Sequence, residues 1–195
     1  MTTTDLMAAV APVARCFDTL GVRYYVTGSV ASSARGIARA SLDVDLVAEL
    51  SPEHVGAFAS CLESAYYAPL DQMRVAVAHR RSCNLVHLAT MFKVDIFVSG
   101  RRPFDTQAAD RACRERLDDS DDAIAMPTAT SEDIVLAKLE WFRRGGETSE
   151  RQWWDLVGVL RVAPSVDRAH LRRWAEELGV SDLLERAFAD AFDVR

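Results

Sequence analysis

Hydrophobic and polar positions divide the chain into two parts with different predicted structure. In the first part, β-branched and aromatic runs that predict strands are interleaved with segments of helical periodicity. Strands are predicted at 22–27, 42–48, 83–88 and 92–98, and helices at 4–19, 29–36 and 52–66, with a helix or turn near 71–79. From about residue 128 onward, apolar residues recur only at helical spacing. The pattern predicts an α+β fold, with an α/β domain on a small mixed sheet over 1–127 and a helical bundle over 128–195.

Capping signals mark four helices in the predicted bundle. Their N-terminal ends are predicted at Ser131, Ser149, Asp167 and Ser181, residue types that accept hydrogen bonds from free backbone N–H groups. The first helix is predicted to end at Gly145-Gly146 and the third at Gly179. We interpret the four tryptophans as bundle core rather than as a surface for base stacking; they are Trp141, Trp153, Trp154 and Trp174.

Composition and charge narrow the class of protein. The net charge of −6 argues against a surface that coats nucleic acid. Three arginine runs are candidate local basic patches, although the favoured interpretation of each is an ordinary solvated face: His79-Arg80-Arg81, Arg101-Arg102 and Arg143-Arg144. Neither a membrane span nor a signal peptide is predicted, so the cytoplasm is the expected location. The cysteines lack metal-site spacing and are expected to be buried free thiols; they are Cys16, Cys61, Cys83 and Cys113.

Two carboxylates in one predicted strand indicate a specific chemistry. Asp43 and Asp45 share one face of the strand, while Leu42, Val44 and Leu46 share the other. Neighbouring carboxylates repel each other, so such a pair usually persists because a cation lies between them. Oxygen ligands with no soft ligand nearby favour Mg²⁺ or Mn²⁺.

A third carboxylate, Asp95, lies in the middle of the apolar strand 92–98. An ionised group there is costly unless it is paired or bound to a metal. If this strand lies beside strand 42–48, the three carboxylates converge, as a two-metal site requires. The alternative is that Asp95 pairs with Lys93 or a nearby arginine.

A Gly-Ser turn precedes the carboxylates in the chain. Gly28 follows a predicted strand, where glycine lets the backbone approach a ligand closely, and Ser29 is placed to cap the next helix and to donate to a phosphate oxygen. Arg39 and Ser41, just before the carboxylate strand, are placed to meet the same triphosphate.

The ordered set of a strand, Gly28-Ser29, a short helix, Asp43, Asp45 and a later Asp95 resembles the signature of the DNA polymerase β nucleotidyltransferase superfamily. The resemblance implies a polymerase-β-like α/β domain followed by helices. It also implies Mg²⁺-dependent transfer of a nucleoside monophosphate from an NTP to an acceptor, with release of pyrophosphate. In that mechanism Asp43, Asp45 and Asp95 are the catalytic and metal-binding residues.

The helical part is similar to AbiEii-type nucleotidyltransferases, which belong to abortive-infection and toxin–antitoxin systems. The resemblance is strongest at 24–47, 92–98 and 131–156. It implies that Lys138 neutralises triphosphate charge and that Asp155 orients Lys138 or binds nucleotide. From the residues alone, the favoured interpretation of Lys138 is an ordinary exposed helix residue, and the alternative for Asp155 is a salt bridge to Arg151 one turn earlier.

Three functions follow from these observations. The leading one is a cytoplasmic nucleotidyltransferase whose acceptor is tRNA, a protein hydroxyl or a small molecule, with a possible antitoxin partner. The second is an inactive nucleotide-binding or interaction protein of a toxin–antitoxin pair. The third is an α/β domain whose acidic residues are only surface charge.

Overall fold

The computed structural model describes residues 3–34, 43–117, 124–163 and 165–192. Within these residues, helices and strands are mixed up to residue 128 and helices alone follow. The strands are β1 (Tyr24–Thr27), β2 (Asp43–Ala48), β3 (Tyr66–Tyr67), β4 (Ser82–His87), β5 (Lys93–Val98), β6 (Cys113–Arg116) and β7 (Ala125–Thr128). The helices are α1 (Thr3–Leu20), α2 (Gly28–Ala34), α3 (Pro52–Leu62), α4 (Leu70–Ala78), α5 (Pro103–Arg111), α6 (Ser131–Arg144), α7 (Glu150–Val162), α8 (Arg168–Glu177) and α9 (Ser181–Phe192).

One mixed sheet organises the first part of the molecule. Its strands lie in the order β3-β4-β5-β2-β1-β7-β6 across the described residues. The pairs β2–β5 and β1–β7 are parallel, and the other pairs are antiparallel. The α+β class, with a mixed sheet and a helical C-terminal part, is confirmed. The division into two domains at residue 127 stays a prediction.

The alternation along the central strands separates a core face from an open face. Val44, Leu46 and Ala48 of β2 are buried, whereas the residues between them are only partly buried. Phe17 of α1 covers the core face, where its ring stacks on Phe58 with centroids 4.7 Å apart. Full burial of one such side chain is worth roughly 1.5–3 kcal/mol, so this face fixes the register of β2 and directs its aspartates to the opposite face.

Two of the predicted caps in the helical part, Ser149 and Asp167, are confirmed. The Ser149 side chain accepts a hydrogen bond from the Gln152 backbone, and the Asp167 side chain accepts one from the His170 backbone. For α6, which begins at Ser131 as predicted, the cap is Thr130. Helices α6 to α9 bury Leu139, Leu156, Leu160, Leu171 and Leu184 between them. No helix in the described part of the chain has both the length and the apolar character to cross a bilayer.

Four of the elements in the described residues are not predicted by the sequence pattern. They are β3, α5, β6 and β7. β6 lies at a sheet edge and has the mostly exposed sequence CRER, so it shows no apolar alternation. β7 contains Pro127, a residue depleted in strands because it lacks an N–H donor. The periodicity used to find strands is therefore weakest in these segments.

Two predictions about burial are partly wrong. Cys16 and Cys83 are buried free thiols, but Cys61 and Cys113 are exposed. Trp153 and Trp174 are core residues, whereas Trp141 and Trp154 are about half exposed. Trp154 directly follows Trp153, and consecutive residues of a helix cannot share a face.

Candidate active site

The parallel pairing of β2 and β5 brings the three predicted carboxylates together on the open face of the sheet. In this register Asp45 is the direct neighbour of Asp95, and Asp43 is the neighbour of Lys93. Register neighbours project on the same side of a sheet. The prediction that the strand of Asp95 lies beside that of Asp43 and Asp45 is confirmed.

Gly28 provides space for the Asp45 carboxylate. It has a φ of 68°, in the left-handed region that favours glycine. A Cβ atom added to Gly28 would lie 1.8 Å from Asp45 Oδ2, which is closer than any non-bonded contact allows. Both the backbone conformation and the contact therefore require glycine here. Ser29 follows at the start of α2 and lines the same cleft.

Asp45 experiences an excess of negative charge. Its pKa is raised from the ordinary 3.8 to about 6, first by burial and then by the charges of Asp43 and Asp95. Lys138 and Lys93 oppose this rise but do not cancel it. A carboxylate in such surroundings gains from a bound cation, which removes both the repulsion and the proton.

Asp95 has one paired and one unpaired oxygen. Lys93 Nζ lies 2.8 Å from Asp95 Oδ2, so the pairing considered as an alternative for this residue is present. Asp95 Oδ1 is buried and receives no hydrogen bond from the described residues. The residue as a whole is only 9 % exposed. Asp95 is therefore not a solvated surface charge.

The carboxylates do not form a preassembled three-ligand metal site. Among the described residues, no group of three His, Cys, Asp or Glu side chains is arranged to hold one ion. Asp43 and Asp45 line the open cleft, whereas Asp95 lies behind its contact with Lys93 and is not part of the cleft lining. The arrangement offers two accessible carboxylates and a third that is already paired.

Lys138 and Asp155 form the helical side of the same cleft. Lys138 Nζ of α6 donates to Asp155 Oδ2 of α7 at 3.1 Å, and both side chains are about 15 % exposed. The reading of Lys138 as an ordinary exposed residue is therefore wrong. The ammonium group acts electrostatically on Asp45, so it lies on the side of the cleft that faces the carboxylates.

The cleft has a volume of about 1040 Å³ and lies between the open sheet face and helices α6 and α7. A cleft of this size suits a small-molecule substrate or cofactor. Each of the three arginine runs singled out in the sequence contributes to its lining, through Arg80, Arg81, Arg102 and Arg144. Basic residues that are far apart in the chain thus meet at one site.

Some lining residues carry no signal in the sequence. The Phe97 ring meets the Trp141 ring edge-on, with centroids 5.8 Å apart, and Arg144 lies over the same indole. Glu140 accepts hydrogen bonds from both Arg102 and Arg144 at 2.6 Å. These contacts join separate elements, so only the tertiary structure places them. The predicted nucleotide-binding residues Arg39 and Ser41 lie outside the described residues.

Comparisons with known proteins identify the fold. No protein-family model matches the chain, and a search of curated proteins returns no significant match. The structure is similar to an antigenic nucleotidyltransferase-like protein from Paracoccidioides brasiliensis, with a TM-score of 0.55 and 17% identity over 100% of this chain and 99% of the other. It is also similar to the antibiotic-resistance factor ANT(2'')-Ia, with a TM-score of 0.53 and 12% identity over 97% of this chain and 95% of the other.

A third similar structure is that of the lincosamide antibiotic adenylyltransferase LnuA with lincomycin bound. Its TM-score is 0.49, with 14% identity over 83% of this chain and 98% of the other. The first two likenesses extend over nearly the whole of both chains and show that this chain has a nucleotidyltransferase fold. At these identities they establish the fold alone. The AbiEii-type resemblance stays a prediction.

Proposed function

We propose that the protein is a Mg²⁺-dependent nucleotidyltransferase that moves a nucleoside monophosphate from an NTP to a hydroxyl acceptor and releases pyrophosphate. The observation that carries this proposal is the pairing of opposed groups across one cleft. Asp43 and Asp45 lie on the sheet side, and Lys138, held by Asp155, lies on the helical side. Cation-binding carboxylates opposite a fixed ammonium group suit a metal-bound triphosphate.

The residues present fit one hard divalent cation. Asp43 and Asp45 offer oxygen ligands only, and burial together with the charges of Asp43 and Asp95 raises the pKa of Asp45, which a bound cation would lower again. These two residues would hold Mg²⁺ or Mn²⁺, and Asp95 would join them on release from Lys93. When bound, the ion supplies Lewis-acid polarisation of the phosphoryl group and charge compensation for the pyrophosphate.

The triphosphate would be held from several sides. Lys138 donates to phosphate oxygens while Asp155 fixes the direction of its ammonium group. Gly28 and Ser29 border the carboxylates, so the Ser29 hydroxyl is within the cleft that the phosphates would occupy. Arg39 and Ser41 remain proposed phosphate ligands from the sequence pattern. Neutralising several phosphate charges is the main electrostatic requirement of phosphoryl transfer.

Asp95 is the proposed general base. It adjoins Asp45 in the sheet, and release of its Oδ2 from Lys93 would give the acceptor position that a base needs. The carboxylate would accept the proton of the acceptor hydroxyl as the oxygen attacks the α-phosphorus. The bond from the α-phosphorus to the bridging oxygen then breaks, and pyrophosphate leaves with that oxygen.

Substitution of the two accessible carboxylates tests the proposal. Asp43→Asn and Asp45→Asn should each lower nucleotide transfer at least about a hundredfold. Mutation of a residue that only supports a metal ligand already costs about ten- to hundredfold in activity, and loss of the ligand itself should cost more. Pyrophosphate release with each labelled NTP and a crude RNA and protein extract is the measurement. The matched control is Asp71→Asn, whose side chain on α4 is 93% exposed. Unchanged transfer in both site variants would refute the mechanism.

A second function is favoured by one observation. The ion pair of Lys93 with Asp95 leaves the described residues without a three-ligand metal group, as expected of a protein that binds nucleotide without catalysis. Such a protein would serve as an interaction partner, for example within a toxin–antitoxin pair or a phage-defence system. Calorimetry with Mg·NTP that shows binding, together with no labelled product from any extract, would favour this function.

The labelling experiment also identifies the acceptor. Label in RNA, in protein or in a small molecule would distinguish the three acceptor classes that the sequence leaves open. A copurifying antitoxin would support a toxin–antitoxin role.

A further inference from the structure

Lysine is used at only two positions in this protein. The sequence contains 23 lysine and arginine residues, and all except Lys93 and Lys138 are arginines. Both lysines lie at the candidate site, where Lys93 pairs with Asp95 and Lys138 pairs with Asp155. Both also act on the charge of Asp45. A chain that uses arginine everywhere else therefore places a lysine on each side of its cluster of carboxylates.

Lys93 lies within the group of three carboxylates. It is the register neighbour of Asp43, and its Nζ contacts Asp95 at 2.8 Å. Its pKa is raised chiefly by the hydrogen bond to Asp95, and the charges of Asp95, Asp43 and Asp45 act in the same direction. The ammonium group thus provides a positive charge where a metal ion bound by all three carboxylates would provide one.

The geometry of the Lys93–Asp95 contact allows the lysine side chain to move away from the carboxylate. The ammonium group holds only Oδ2 of Asp95, and Oδ1 stays without a partner among the described residues. The Lys93 side chain is 41% exposed, whereas that of Asp95 is 12% exposed. A flexible lysine with access to water can move out of the cluster, but the carboxylate cannot. An arginine would instead grip both oxygens with its planar fork.

We propose that Lys93 is a displaceable internal cation, which holds Asp95 in the metal-free protein and releases it when a divalent ion binds Asp43 and Asp45. The inference rests on the metal site of the proposed function. Lys93 is then a positioning residue, and it sets how much Mg²⁺ the protein needs. The mechanism explains why Asp95 is held by a lysine within the sheet while Asp43 and Asp45 line the cleft.

Metal binding by purified variants, without nucleotide, tests this inference. Lys93→Met should bind Mn²⁺ and Mg²⁺ roughly three- to tenfold more tightly than the natural protein, because the ion no longer competes with the ammonium group. Lys93→Arg should bind the ions more weakly, because the guanidinium group holds both oxygens of Asp95. Titration of Mn²⁺ by water-proton relaxation and of Mg²⁺ by calorimetry gives the affinities.

The control separates local competition from net charge. Arg74→Met also removes one positive charge, from an exposed ion pair with Asp71 on α4. It should leave the metal affinity unchanged within about a factor of two, since exposed charges at a distance are screened. Thermal unfolding of each variant confirms that it is folded.

The scarcity of lysine gives a direct spectroscopic readout. Reductive ¹³C-methylation keeps the positive charge of lysine. It adds signals from two lysines besides the amino terminus, and Lys93→Met assigns one of them. Saturating Mg²⁺ should shift the Lys93 signal towards that of an exposed lysine.

The possible outcomes are distinguishable. Tighter ion binding by Lys93→Met with a shifted Lys93 signal supports the inference. Equal or weaker ion binding by Lys93→Met would overturn it while leaving the nucleotidyltransferase proposal intact. Failure of the natural protein to bind either ion would overturn both.

Discussion

The two walls of the cleft differ in how their charged side chains are arranged. The sheet wall presents Asp43 and Asp45 to the cleft, and Asp95, paired with Lys93, adjoins Asp45 in the sheet. Burial, followed by the charges of Asp43 and Asp95, raises the pKa of Asp45 to about 6, and Asp95 Oδ1 has no hydrogen-bond partner among the described residues. A ligand that brings a cation would therefore stabilise the ionised form of Asp45.

The helix wall consists of Lys138, Glu140 and Arg144 of α6 with Asp155 of α7. Here opposite charges are matched within the protein. Lys138 pairs with Asp155 at 3.1 Å, and Glu140 receives hydrogen bonds from Arg144 and from Arg102 at the end of the sheet region. Fixed pairs of this kind orient side chains more than they attract ions.

This difference predicts that substitutions in the two walls affect different properties of the protein. Alterations of the sheet wall should act on metal binding and on the pH dependence of stability, because the charges of Asp43 and Asp95 act on the buried Asp45. Alterations of the helix wall should act on nucleotide affinity and geometry, because its charges are paired. Three experiments test this division, in order of decreasing effect.

The largest effect is expected from Gly28→Ala, which disturbs the sheet wall without removing a charge. The new methyl group would overlap the Asp45 carboxylate, which must rotate away from its place. Nucleotide transfer should fall at least about a hundredfold, as for loss of a metal ligand. Steady-state pyrophosphate release and Mn²⁺ affinity measure the effect.

Gly21→Ala is a closely matched control. Gly21 has a φ of 65°, almost the same as that of Gly28, but an added Cβ would meet nothing within 4 Å. Both variants carry the strain of an L-residue in the left-handed region, about 1–2 kcal/mol. Only Gly28→Ala should lose activity. Equal activity in the two variants would show that the position of the Asp45 carboxylate does not matter.

The second largest effect is expected from Lys138→Met in the helix wall. Loss of a charged donor to the triphosphate should weaken Mg·NTP binding roughly ten- to hundredfold. This range corresponds to the free energy of a hydrogen bond to a charged group, about 1.5–3 kcal/mol. Asp155→Asn should weaken it less, because the ammonium group remains but loses its orientation. Calorimetry with a non-hydrolysable NTP analogue supplies the affinities.

Glu185→Gln serves as the control for breaking an ion pair between helices. Glu185 of α9 pairs with Arg172 of α8, and both side chains are more than half exposed. Its loss should leave nucleotide affinity unchanged. If Lys138→Met also bound nucleotide normally and only metal affinity changed, the division of roles between the two walls would fail.

The chain pattern predicts much of the fold because the relevant signals are local. The alternation in β2 separates Val44 and Leu46 from Asp43 and Asp45, and a burial difference of this kind is encoded within six residues. Helix caps such as Ser149 and Asp167 are equally local. Lys138 and Asp155 were recognised only through a family resemblance, since neither spacing nor composition relates α6 to α7.

The features that escaped prediction depend on contacts between distant segments. The parallel register of β2 and β5 sets Lys93 beside Asp43, yet no local rule fixes that register. The sequence predicts Trp141 as bundle core, but the residue lines the cleft beside Phe97, a residue of a distant strand. Functional sites are where sequence rules are most often broken, since their side chains are arranged for a ligand.

The smallest effect, and the sharpest test of unbalanced charge, is the stability of Asp45→Asn. The pKa of Asp45 is raised from 3.8 to about 6 in the folded protein. Between these values the folded state binds more protons than the unfolded state, so stability falls as pH rises from about 4 to about 6 and then stays lower. Removing the charge should therefore stabilise the metal-free protein at pH 8 by about 1–3 kcal/mol, or a few degrees in Tm.

The pH profile and the response to Mg²⁺ complete this test. Below about pH 4 the gain of Asp45→Asn should vanish, because the natural side chain is then protonated in both states. At pH 8, Mg²⁺ should raise the Tm of the natural protein and close most of the gap, because ion binding relieves the same repulsion. The exposed control Asp71→Asn should change stability by less than about 0.5 kcal/mol at either pH. If Asp45→Asn were instead less stable at pH 8, the negative charge of the sheet wall would already be compensated within the protein, and the contrast between the two walls would disappear.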